Sequence, residues 1–243
     1  MLDQKTEGAV AQIGQQVRQV FGTDLVSVVL YGSAAGDDFV AGRSDLNLAI
    51  VLERLTFQHL KALHRHLPKW HALGAATPLL LDRRFLDRGR DVFPMEFSDI
   101  QAQHRVLYGE EVFATLSIDR RHLRYQAEYE ARAKLLRLRV LYAEVGADRR
   151  QLEALMLDSA KTFVVIMRHL LRLAGRPNSG SYTEVLDQFE AHFGQRLSTV
   201  RHLLRVKLGT ERWADGVDQT FQAYLDEVER LVDVVDQLGG APT

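Results

Sequence analysis

Along this chain of 243 residues the spacing of hydrophobic positions changes period more than once. Val10, Ile13, Val17, Val20 and Phe21 recur at steps of three and four, which places them on one face of an amphipathic helix that Gly22 can end. The period then shortens. Val26 to Tyr31 is a β-rich apolar run closed by Gly32, and Leu46, Leu48, Ile50 and Leu52 alternate with Asn47, Ala49 and Val51 in a second strand. Phe57, Leu60, Leu63, Leu67 and Trp70 return to helical spacing, after which Thr77 to Leu81 and Phe93 to Phe97 read as short strands. Tyr108-Gly109-Glu110 reads as a turn after the last strand. Helices and strands alternating over short connections predict a small sheet packed against helices.

Beyond residue 117 the pattern is helical throughout. A helix from about Asp119 to Val145 meets Gly146; Asp148 and Gln151 then have the spacing of a capping box, and a second helix runs to Ala174. Gly175, Pro177 and Gly180 predict a loop. Ser181 and Glu184 form a second capping box, Leu197, Val200, Leu203 and Leu204 mark a short helix, and Val217 to Leu238 keep one apolar stripe over about five turns. The expected class is therefore α+β: a small mixed sheet with helices over residues 1–117, then an all-α bundle over residues 118–243.

Composition narrows the setting. There is no cysteine, so disulfides, thiolate nucleophiles and Cys-ligated metals are excluded, and a reducing cytoplasm is the expected compartment. No apolar run approaches the roughly 18 to 20 residues that cross a bilayer, and the start lacks a basic region followed by an apolar stretch, so neither export nor a membrane partner is expected. The formal net charge of −1 hides an asymmetry: residues 118–176 carry 13 basic and 7 acidic side chains, a basic island between two acidic segments. His59, His64, His66 and His71 share a helix without a His-Glu-x-x-His pattern, which favours a helix face over zinc.

The stretch Val28 to Leu52 carries the chemistry. A strand runs into Gly32-Ser33, and the small residues Ala34, Ala35 and Gly36 permit close backbone approach, so the turn can offer N–H groups and a hydroxyl to phosphate oxygens. Asp45 and Asn47 follow at the mouth of the next strand, two apart and therefore on one face.

This combination resembles the nucleotidyltransferase superfamily of DNA polymerase beta, especially the minimal nucleotidyltransferases and aminoglycoside adenylyltransferases. Their signature is Gly-Ser, about a dozen residues, then Asp-x-Asp; here Gly32, Ser33, Gly36, Ser44, Asp45 and Leu46 match and Asn47 departs. The resemblance spans roughly residues 23–112. It implies that Gly32, Ser33 and Ser44 hold the phosphates of a nucleoside triphosphate, and that Asp45, Asn47 and a third carboxylate, for which Glu96 is the candidate, hold magnesium or manganese and carry catalysis. With an amide at 47 the acids return −2 against the +4 of two ions, so one weakly held ion is expected; Asp37 and Asp38 are loop acids that could add charge. The helical half resembles the HEPN-type bundles that accompany minimal nucleotidyltransferases, whose ribonuclease members carry an Arg-His spacing that Arg196 and His202 fit. In the basic island, Lys161, Arg168 and Arg172 share one helix face, and Arg121, Arg124, Arg132 and Arg139 follow similar steps on the preceding helix. These faces read either as solvated flanks of apolar seams or, with Lys161 and Arg168 as phosphate ligands, as a wall of the nucleotide pocket. Few aromatics interleave them, which argues against nucleic acid.

Three functions remain open on this reading. One is transfer of a nucleoside monophosphate from a nucleoside triphosphate to a small-molecule or protein hydroxyl, the acceptor being unspecified. Another is a degenerate protein that binds nucleotide, or regulates a partner in toxin-antitoxin fashion through its helical half, without turnover. The third is an RNA-acting HEPN-like module. A homodimer through the helical half is a further expectation.

Overall fold

The computed structural model describes residues 2–36, 39, 44–146, 148–176, 180–213 and 216–238. The chain divides into two compact units, Met1–Asp119 and Arg120–Thr243.

In the first unit α1 (Gln4–Phe21) begins at Asp3, whose carboxylate accepts the Thr6 N–H at 2.7 Å. Then come a 3₁₀ turn Gly22–Asp24, β1 (Leu25–Tyr31), a second 3₁₀ turn Gly32–Ala35, β2 (Asn47–Leu52), α2 (Phe57–Ala72), β3 (Leu79–Asp82), α3 (Arg83–Arg88), α4 (Pro94–Ala102) and β4 (His104–Gly109). The strand order is β3-β2-β1-β4. β1 lies antiparallel to both β2 and β4, while β3 runs parallel to β2, so the sheet is mixed. Because side chains alternate across a strand, the sheet feeds two cores. Leu30, Leu48 and Ile50 pack with Ile13 and Val17 of α1 and Trp70 of α2. On the opposite face Val29, Ala49 and Val51 pack with Leu86 of α3, Phe97 and Ile100 of α4, and Phe113. Trp70 is fully buried, and its indole N–H donates to Gln16 Oε1 at 2.8 Å, tying α2 to α1.

Three expectations are corrected here. Phe93–Phe97 is not a strand: Pro94 opens α4, where its missing N–H costs nothing, and Phe97 and Ile100, three apart, face the sheet. Over five residues, alternating Phe93, Met95 and Phe97 cannot distinguish a strand from the start of a helix. Tyr108 and Gly109 are not beyond the last strand but end β4, an edge strand whose apolar content is too low to announce it. The third strand is displaced from Thr77–Leu81 to Leu79–Asp82, and Asp82 then caps α3 by accepting the Phe85 N–H at 2.8 Å. His59, one of the four helix histidines, closes the start of α2 with Thr56 and reaches Asp24 at 3.2 Å.

Acidic residues pin β4 and the chain leaving it. Glu7 receives Arg105 through two bonds of 2.9 and 3.0 Å, and Glu110 receives Arg83 of α3. Glu111 accepts from His104 Nε2 and from the N–H groups of Phe113 and Ala114. The carboxyls of Glu7 and Glu110 sit below their ordinary values, held there by the guanidinium hydrogen bonds. For Glu111 burial pushes upward, but the His104 and backbone hydrogen bonds outweigh it and the carboxyl is lowered. A carboxyl depressed in the folded state contributes stability above its unfolded value and loses it as pH falls through the folded value. The urea midpoint of the first unit is therefore expected to decline as pH drops below the ordinary carboxylate range, and Glu111→Gln should flatten part of that decline. An unchanged pH profile in the variant would show that Glu111 does not couple to folding.

The second unit comprises α5 (Arg120–Val145), α6 (Arg149–Leu173), α7 (Tyr182–Phe193), α8 (Ser198–Leu208) and α9 (Val217–Gln237). α6 is its axis: it touches the other four, and buried residues from Leu152 to Leu173 cover most of its circumference. Ser181 and Glu184 complete both arms of a capping box at α7. At α6 the cap is one-sided, since Gln151 donates its side-chain amide to the Asp148 carboxylate at 2.9 Å rather than serving the cap backbone. Tyr224 of α9 is fully buried against Phe163 and its hydroxyl meets Ser159 Oγ at 2.9 Å; burial raises its ionisation. No helix among the described residues is long and apolar enough to cross a membrane.

Candidate functional site

β1 delivers the chain to Gly32, which turns it with φ of 71°, a conformation that side chains rarely adopt. Tyr31, the last residue of β1, opposes Asn47 on β2 and His104 on β4. Opposed residues share a face, so Asn47, Tyr31 and His104 form a row across the end of the sheet where the Gly32 turn lies. A Cβ on Gly32 would fall 3.3 Å from Asn47 Nδ2, which shows how closely that amide lies against the turn. Asp45 precedes Asn47 by two and is exposed, while Leu46 and Leu48 between and beyond them are buried in the opposite core. The Ser33 hydroxyl and the side chains of Asp45 and Asn47 have no hydrogen-bond partner among the described residues. Ser44 is half-buried at the bend that precedes them.

Glu96 stands exposed in the first turn of α4, not on the strand expected for it, six residues of helix, about 9 Å of rise, before Ala102. The strand beside β2 adds no acid opposite Ala49 or Val51. Leu79 and Leu81 of β3 oppose Ala49 and Val51, and Thr77, which precedes the strand, lies 3.3 Å from His71. Asp37 and Asp38 lie outside the described residues.

Lys161 and Arg168 belong to α6 of the second unit. The Lys161 ammonium stands 5.5 Å from the centre of the Tyr182 ring, and Arg168 Nη2 donates to the Gly180 carbonyl at 3.1 Å. On α5, Arg132 reaches Asp236 and Arg139 reaches Glu229, so these cations clasp α9. Arg196 and His202 both line a cavity of about 340 Å³ in this unit, where His202 Nδ1 lies 3.2 Å from Glu211.

Among the described residues no three His, Asp or Glu side chains gather as a metal site would require. Two hard cations therefore do not fit the donors that the described residues supply. One ion does, because magnesium is commonly held by one or two carboxylates with the oxygens of a bound phosphate, and Asp45 supplies an exposed carboxylate two residues before Asn47.

Gln103 and the row partners Tyr31 and His104 carried no signal in the sequence. They stand some seventy residues from the Gly32 turn or at the end of an apolar run, and only the pairing of β4 with β1 brings them there. Burial raises the Tyr31 hydroxyl above its ordinary ionisation, so it is a neutral member of the row.

No protein-family model matches the chain, and no curated protein sequence does. Its similarity is to solved structures. The structure of spectinomycin adenyltransferase AAD(9) from Enterococcus faecialis with ATP and spectinomycin superposes with a TM-score of 0.58 over 95% of this chain and 99% of that one, at 10% sequence identity. At that identity the likeness is one of fold. The chain thus shares the fold of that adenyltransferase, and here it comprises a mixed four-stranded sheet with helices, followed by a helical region.

Proposed function

We propose that the chain binds a nucleoside triphosphate at the Gly32–Ser33 turn, with a single magnesium or manganese ion at Asp45, and that it holds the nucleotide without two-ion turnover. The observation that supports this reading is the face around Asn47: among the described residues it offers one carboxylate, one amide and one hydroxyl, and the neighbouring strand sets leucines, not acids, opposite Ala49 and Val51. A divalent ion there would neutralise phosphate charge. The chain's own residues do the rest: Gly32 lets the backbone approach, Ser33 donates to a phosphate oxygen, and Asn47 orients without adding charge.

The retained Asp45, together with a fold like that of an adenyltransferase, favours a second reading: transfer of a nucleoside monophosphate to a small-molecule or protein hydroxyl. Calorimetry and label transfer separate the two. ATP should bind the wild type more tightly with magnesium than without it, and no label from α-labelled ATP should appear on the protein or on added aminoglycosides. Asn47→Asp should tighten the magnesium-nucleotide complex by about three- to tenfold, the order of one partly screened charge pair. Transfer by the wild type would establish the second reading, and an unchanged affinity in Asn47→Asp would place residue 47 away from the ion.

A further inference from the structure

One residue holds both glycines of the Gly32–Gly36 turn. The main-chain carbonyl of Gln103, at the junction of α4 and β4, accepts the Gly32 N–H at 3.2 Å. Its side chain lies over the other end: a Cβ built on Gly36 would fall 1.4 Å from Gln103 Nε2 and 2.5 Å from Cδ. Gly36 has a φ of −126°, ordinary for any residue, so what glycine provides here is space rather than conformation. The space is filled by an amide. Gln103 is half-buried, and its side chain has no hydrogen-bond partner among the described residues.

A carboxamide laid against a glycine, with its N–H groups unmatched beside the Ser33 hydroxyl's turn, is a neutral donor positioned for an anion. We infer that Gln103 positions the phosphate tail, its carbonyl fixing the turn at Gly32 and its amide donating to a phosphate oxygen above Gly36. The inference rests on the nucleotide reading given above and adds to it the residue that shapes the turn and the ligand group that residue meets, a phosphate rather than base or sugar.

The two halves of the role separate cleanly, because a substitution at Gln103 changes the side chain and leaves the main-chain carbonyl that accepts the Gly32 N–H. Inorganic triphosphate, which has no base, serves as the probe beside ATP, with magnesium present. Gln103→Ala should weaken both ligands by about tenfold, near the lower end for one hydrogen bond to a charged acceptor. Gln103→Glu, nearly isosteric but donor-poor and negative, should weaken them more than Gln103→Ala; a purely structural role would rank it between wild type and alanine. Gly36→Ala should evict the amide and reproduce the Gln103→Ala loss, and the double variant should be no worse than either single one. Additive losses, or unchanged affinity in Gln103→Ala while the wild type binds, would overturn the role of Gln103 and leave the nucleotide reading intact. Failure of the wild type to bind either ligand would overturn both. Thermal unfolding of each variant checks that the fold is retained, and the Gln103 pair decides the matter should Gly36→Ala not fold.

Discussion

Gly109→Ala is expected to destabilise the first unit by about 3 to 5 kcal/mol, combining left-handed strain with an overpacked backbone contact. Gly109 ends β4 with φ of 81°, and a Cβ there would fall 1.9 Å from the Val26 carbonyl oxygen. That oxygen is already committed, since it accepts the Glu110 N–H at 3.1 Å. The neighbouring Ser27 hydroxyl, fully buried, donates to the Glu110 carbonyl at 2.7 Å. Alanine would thus have to displace backbone on both sides of a closed hydrogen-bond set, and no flexible side chain is there to yield. Trp70 is buried in this unit, so in a Trp213→Phe background its fluorescence reports urea unfolding of the first unit. A midpoint equal to that of the parent would mean that β4 does not leave the sheet as described.

The second large effect falls in the helical unit. Glu227 of α9 is only 4% exposed, yet it carries a carboxylate. Its oxygens accept from the N–H of Thr199 and of Val200, each at 2.9 Å, and from the Ser198 hydroxyl at 3.2 Å. Those donors are the first of α8, where N–H groups lack intrahelical partners and the helix dipole favours negative charge. Leu197, which precedes the helix, has no side-chain oxygen to do this work, so the cap comes from another helix. Glu227→Ala leaves two backbone donors and a hydroxyl unmatched and is expected to cost about 3 to 5 kcal/mol, whereas Glu227→Gln keeps one acceptor oxygen and should cost about half as much. Amide exchange of Thr199 and Val200 should accelerate most. An alanine variant as stable as the parent would show that the cap contributes nothing.

Local grammar carried most of the helices. The step-of-three-and-four spacing of Val10 to Phe21 and of Val217 to Leu238, and the Ser181–Glu184 pair, are read within one or two turns, and the structure places α1, α9 and the α7 cap accordingly. β1 and β2 were legible for the same reason, as apolar runs closed by Gly32 and opened after Asp45. β4 was not, because an edge strand buries little and its sequence, His104 to Gly109, alternates weakly.

What the chain by itself determined, then, is a set of elements and one motif in which Gly32, Ser33, Asp45 and Asn47 stand at a characteristic spacing. What only the tertiary structure decided is which distant residues join them. Glu96 and Gln103 lie seven apart in one short segment, and the sequence offers Glu96 as the chemically richer of the two. The pairing of β4 with β1 sets Gln103 against both glycines of the turn and leaves Glu96 at the other end of α4. Periodicity reports which side of its own element a residue occupies. The partner of that element is chosen by long-range pairing, whose register no local pattern encodes.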